Sequence, residues 1–164
     1  MPAWSTDDGG LENFVATYRC AVVARLEGLY SNTDPALADH RYIILARQDD
    51  PQSYVQCLFV DRASRMLCEA SSGFYFNKPN EPKTIDWPAA AKRELASLGF
   101  DTSQQEGNFQ QLVPTTRVDD LGAVAALLLK SLYSGYGARL DTAIELSGTG
   151  GPKLAKLAPC QPIS

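Results

Sequence analysis

The stretch "YVQCLFVDRASRMLCEASSGFY", residues 54–75, decides the fold. Two apolar runs flank the polar loop "DRAS", the pattern of two antiparallel strands joined by a short connection. If Val60 faces Arg65 across that loop, Phe59 opposes Met66, Leu58 opposes Leu67 and Cys57 opposes Cys68. Side chains alternate between the faces of a strand, so Val55, Cys57, Phe59, Met66, Cys68 and Ala70 then share one wholly apolar side. The other side is mixed, with Tyr54, Gln56, Leu58, Val60, Leu67, Glu69 and Ser71. A slip of one residue sets Glu69 opposite Cys57 on the apolar side, where an unpaired carboxylate is costly. The register that opposes the two cysteines is therefore the one expected.

In that register Cys57 and Cys68 are neighbours in a core layer. Directly opposed strand residues also come near disulfide separation, about 5 Å between α-carbons, so a redox pair is the alternative to simple packing. Packing is the simpler reading. The four cysteines, at 20, 57, 68 and 160, show no paired spacing of a zinc or redox motif. They read as reduced thiols of a cytoplasmic protein.

Working outward, Leu11, Phe14, Val15, Tyr18, Val22, Leu26 and Leu29 recur at helical spacing and predict a helix ending near "YSN". "RYIILAR" reads as a strand closed by the polar turn "QDDPQS". Beyond the hairpin, "FYF" offers a short strand before a loop rich in Pro and Asn. Asp86 is a candidate cap, with Pro88 in the first turn of a helix that stops at Gly99 and turns Phe100 back onto Leu95 and Leu98. "NFQQLVP" is a further strand. Thr116, with Asp119 three residues on, offers a start for a last helix along Leu121, Val124, Leu128 and Leu132. The expected order is α-β-β-β-α-β-α: one α+β domain over residues 1–147, with a twisted antiparallel sheet and helices packed on it. Residues 148–164, rich in Gly and Pro, read as a flexible tail.

The 164 residues suit a single core, and apolar (45%) and charged (21%) shares are those of an ordinary globular chain. Formal charge is −4, and Lys153 and Lys156 follow Ser147 with no acid beside them, so residues 1–147 carry −6. An acidic body disfavours nucleic acid and anionic membrane, which require neutralisation by Lys or Arg. "MPAWSTDDGG" has neither basic leader nor apolar stretch and does not read as a signal peptide. The apolar run "AVAALLL" is too short to span a bilayer, so no membrane insertion is expected.

No constellation argues for catalysis. His40 is the only histidine and sits in a polar turn. Thiols in apolar patterns are inert, which sets Cys20, Cys57 and Cys68 aside as nucleophiles. "GTGGPK" has Pro152 where a phosphate loop needs glycine, and the acidic pairs at 7–8, 49–50 and 119–120 are explained by solvation and helix dipoles. No metal and no cofactor is expected.

Several words in sequence order carry a resemblance: Tyr54 and Gln56; Glu69 and Ala70; Leu95, Leu98, Gly99 and Phe100; Asn108 and Phe109; then "LLLKSLYSGYG". Over about residues 40–137 the chain resembles the type III secretion chaperone-like and YbjN-like peptide-binding superfamily. The resemblance implies a non-catalytic, cytoplasmic, often homodimeric protein that holds an extended segment of a client protein on apolar surface. Tyr54, Gln56, Leu58, Val60, Leu67 and Glu69, on the mixed side of the hairpin, are the candidate partner-binding or dimer surface. A semi-exposed outer side of an antiparallel sheet accounts for the same pattern without a partner. The alternative function is a small-molecule-binding protein or an enzyme whose site is assembled from distant residues, and a structural subunit is a third.

Overall fold

The hairpin around Asp61–Ser64 organises the sheet in the computed structural model, which describes residues 7–37, 40–76, 80–149 and 155–160. Strand β2 (Asp50–Val60) pairs antiparallel with β3 (Arg65–Ala70), and Cys57 faces Cys68, Leu58 faces Leu67 and Val60 faces Arg65, the register expected. The loop between them is tight. Asp61, Arg62 and Ala63 take successive φ values of 51°, 56° and 66°, left-handed backbone that ordinary residues avoid. Ser64 N–H donates to the Asp61 carbonyl, Arg65 pairs with the Asp61 carboxylate, and Thr115 Oγ1 donates to the Ala63 carbonyl at 2.8 Å.

Around this hairpin lie β1 (Tyr42–Arg47), β4 (Phe109–Pro114), β5 (Ile144–Gly148) and β6 (Ala155–Lys156), in the sheet order β4-β3-β2-β1-β5-β6. Each pairing is antiparallel. Three helices complete the described fold: α1 (Asp7–Tyr30), α2 (Ala89–Ser97) and α3 (Asp120–Tyr136). They share one core with the apolar side of the sheet. Phe14, Tyr18, Val22, Leu26 and Leu29 of α1 and Leu121, Val124, Leu128 and Leu132 of α3 are buried with Ile43, Leu45, Val55, Phe59 and Met66. Helix α2 approaches α3 closely at Gly135, where a Cβ would stand 2.6 Å from the Leu95 side chain.

The end of α2 follows the expected scheme. Leu98 is its C-cap, Gly99 (φ 102°) turns the chain left-handed, and Phe100 N–H donates back to the Leu95 carbonyl. Other local expectations are corrected. "FYF" is a 3₁₀ turn (Phe74–Phe76) rather than a strand. Pro88, not Asp86, is the N-cap of α2: its backbone is extended (ψ 139°), its carbonyl accepts the first helical bond from the Lys92 N–H, and no side chain caps the helix. Asp119 rather than Thr116 occupies the N-cap position of α3, without a side-chain cap hydrogen bond, and Asp120 accepts from the Arg117 N–H. Only Gln48 and Asp49 separate β1 from β2, so most of the expected turn "QDDPQS" belongs to a strand.

The thiols are also corrected. Cys57 is joined to Cys68 and Cys20 to Cys160, so no cysteine is free. The expected loose tail is in part structured, because β6 pairs with β5 and Leu157 is buried. The rest of that tail, residues 150–154 and 161–164, lies outside the described residues.

Candidate functional site

Strand alternation makes the second face of the sheet. Its side chains form transverse rows because the registers of β1, β2, β3 and β4 are in step. One row runs Tyr42, Leu58, Leu67, Leu112, which are direct partners across the four strands. The next runs Ser147, Ile44, Gln56, Glu69, Gln110 across five. The helices pack against the other face, so the first row remains accessible. Leu112 is 51% exposed and Tyr42 39%, while Leu58 and Leu67 are half-buried.

The second row is a hydrogen-bonded ladder. Gln56 Nε2 donates to Glu69 Oε2 at 2.8 Å, and Gln110 Nε2 donates to Glu69 Oε1 at 2.8 Å. Both carboxylate oxygens are thus held by neutral donors, and Glu69 makes no ion pair among the described residues. Alongside, Asn108 Nδ2 donates to the Tyr54 hydroxyl at 2.8 Å. Burial holds the Tyr54 phenol above its ordinary pKa, the Asn108 hydrogen bond acts the other way, and the Glu69 charge adds to the rise. Tyr54 is therefore a neutral hydrogen-bonding group at physiological pH.

Two depressions mark this face. One, of about 280 Å3, is lined by His40, Tyr42, Gln56, Cys57, Leu58, Leu67 and Glu69. The other, of about 380 Å3, shares Gln56 with it and adds Ile44, Tyr54, Tyr75, Phe76 and Glu145. Tyr75 is 57% exposed, a large aromatic side chain standing beside the sheet.

The six residues singled out from the hairpin, Tyr54, Gln56, Leu58, Val60, Leu67 and Glu69, all lie half-buried on this face. Gln56, Leu58, Leu67 and Glu69 meet around one depression, Tyr54 lines the other, and Val60 sits towards the loop, opposite Arg65. Sequence reasoning missed Tyr42, Ile44, Gln110 and Leu112, which depend on how β1 and β4 dock on the hairpin. The even-numbered positions of "RYIILAR" were the available signal. Among the described residues no group of three or more His, Cys, Asp and Glu is placed to hold a metal ion, and no helix is long and apolar enough to cross a membrane. No protein-family model, curated protein or solved structure matches the chain.

Proposed function

We propose that this chain is a non-catalytic polypeptide-binding protein, chaperone-like in mode, that takes an extended client segment across the open face of its sheet. The observation that supports it most is the apolar row Tyr42–Leu58–Leu67–Leu112, which spans four strands with no helix over it among the described residues. Burying one leucine-sized side chain there contributes about 1.5–3 kcal/mol, so two or three contacts offset the cost of ordering a segment and leave modest affinity. Glu69, fixed by two carboxamides and lacking a cationic partner among the described residues, suits a client in which Lys or Arg lies among apolar residues. Two disulfides fit a non-reducing compartment better than the cytoplasm, and we place the working protein there.

The test is fluorescence anisotropy with a labelled, permanently unfolded probe, reduced and carboxymethylated α-lactalbumin, against the wild type and Leu58→Asp. The expected result is saturable binding by the wild type and at least a tenfold rise in Kd for the variant, with an unchanged circular dichroism spectrum. Absence of binding by the wild type overturns the reading. Light scattering on the same samples reports whether a second copy occupies this face instead: a dimer that Leu58→Asp dissociates makes it a self-association surface.

A further inference from the structure

The last described residues cross from one edge of the sheet to a helix. Lys156 pairs with Glu145 and Ala155 with Leu146, then Leu157 donates its N–H to the Ile144 carbonyl at 2.8 Å and buries its side chain in the core. Three residues later Cys160 N–H donates to the Thr17 carbonyl of α1 at 2.6 Å, and its sulfur is bonded to Cys20. A two-residue strand and one buried leucine are little to hold this segment. The covalent bond at Cys160 keeps them in place.

The two disulfides differ in access. Cys57 and Cys68 are both fully buried between the sheet and the helices. Cys20 is exposed and Cys160 half-buried, at the rim of an open surface depression of about 580 Å3 that Ala16, Val23, Val118 and Gly122 also line. A thiolate can reach the second bond in the folded protein, and reaches the first only when the fold opens.

We propose that Cys20–Cys160 is a reducible clasp and that β5 is a strand-accepting edge which the chain's own β6 covers while the clasp is closed. On opening, an external dithiol attacks one sulfur as thiolate, forms a mixed disulfide and expels the other as thiolate. Its second thiol then displaces the first cysteine, so the dithiol leaves as a disulfide and Cys20 and Cys160 each end as a thiol. Residues 155–160 are released, which uncovers the backbone edge of Ile144 and Leu146 and the slot filled by Leu157. The partner that fits is an extended polypeptide that pairs antiparallel with β5 and places a leucine-sized side chain in that slot. This edge is separate from the Tyr42–Leu112 row, so the two binding surfaces stand or fall independently.

The full-length oxidised protein is titrated with dithiothreitol, quenched with N-ethylmaleimide and mapped by mass spectrometry, with hydrogen exchange followed in parallel. Cys20 and Cys160 are expected to be labelled at reductant concentrations at least tenfold below those that label Cys57 and Cys68. Exchange should rise in residues 143–148 and 155–160 and stay unchanged in β2 and β3. Reduction of both pairs together, or retained protection of 155–160 after the first, overturns the clasp. A fluorescein-labelled peptide of residues 153–162 carrying Cys160→Ser should bind the full-chain Cys20→Ser/Cys160→Ser variant at least tenfold more tightly than the oxidised wild type. Equal binding, or none to either, overturns the strand-accepting edge, and the selectively reduced wild type replaces the variant if the latter fails to fold.

Discussion

Arg41 Nη1 stands 3.1 Å from the Leu29 carbonyl oxygen and closes the C-terminal end of α1 from outside the helix. The same nitrogen reaches the carbonyls of Tyr30 and Asn32 at 3.3 Å each, and the guanidinium lies 5.2 Å from the centre of the Phe59 ring. Helix α1 has no basic residue in its last turn, so Arg41 supplies the positive charge and adds a donor at the Leu29 carbonyl, which also accepts from the Asn32 N–H. Arg41→Met keeps the apolar stem and removes the donors. It should lower stability by about 2–3 kcal/mol in urea unfolding, and a loss below about 1 kcal/mol would mean that water replaces the guanidinium.

A second prediction concerns alkaline pH. Tyr136 is buried, its hydroxyl donates to the Ser71 carbonyl at 2.7 Å, and burial raises its pKa well above the ordinary tyrosine value of 10.0. The folded state therefore favours the protonated phenol, and this contribution is complete below about pH 10 and lost as pH climbs towards the folded pKa. Wild-type stability should fall above about pH 10. Tyr136→Phe should cost about 1–3 kcal/mol at neutral pH, from the orphaned Ser71 carbonyl, and flatten that alkaline decline. Unfolding midpoints at pH 7 and pH 11 check both.

The left-handed loop gives a third. Arg62 is exposed at φ 56°, where a side chain meets its own backbone and glycine does not. Arg62→Gly should raise stability by up to about 1 kcal/mol, the relief of strain being partly offset by the added freedom of the unfolded chain. A loss of stability would show that the Arg62 side chain holds the loop.

The two faces of the sheet should answer differently to truncation. Phe59→Ala removes a buried ring and should cost about 3–5 kcal/mol. Leu112→Ser, on the open face, should change stability by less than about 0.5 kcal/mol while weakening the unfolded-probe binding proposed above. Thermal melts of the two variants side by side make the comparison, and a large loss at Leu112 would place that residue in a core.

The hairpin was legible because the short loop "DRAS" and Glu69 fix it together: a slip of one residue carries Glu69 onto the apolar side, and the cost of burying a carboxylate rejects that pairing. The α1 stripe was legible for the same kind of reason, since Phe14, Tyr18, Val22, Leu26 and Leu29 leave one periodicity open. Strands β5 and β6 were not. "IELSG" places two apolar residues in alternation, too few to stand out, and Leu157 is isolated in sequence although buried in space. The bond from Cys20 to Cys160 joins residues 140 apart, and no local pattern encodes a contact of that span. The open face was half legible: the hairpin contributed Tyr54 to Glu69, while Tyr42 and Leu112 needed the neighbouring registers.

The Cys57–Cys68 bond ties β2 to β3 at a matched pair, and neither strand can slide past the other while it stands. Slippage is the usual hazard when substitutions accumulate on the outer face of a sheet, because a shift of one residue exchanges inside for outside. Here that hazard is removed by a covalent bond. Substitutions at Leu58, Leu67 or Gln56 therefore act on the outer face, while the bonded pair keeps the two strands beneath them in alignment.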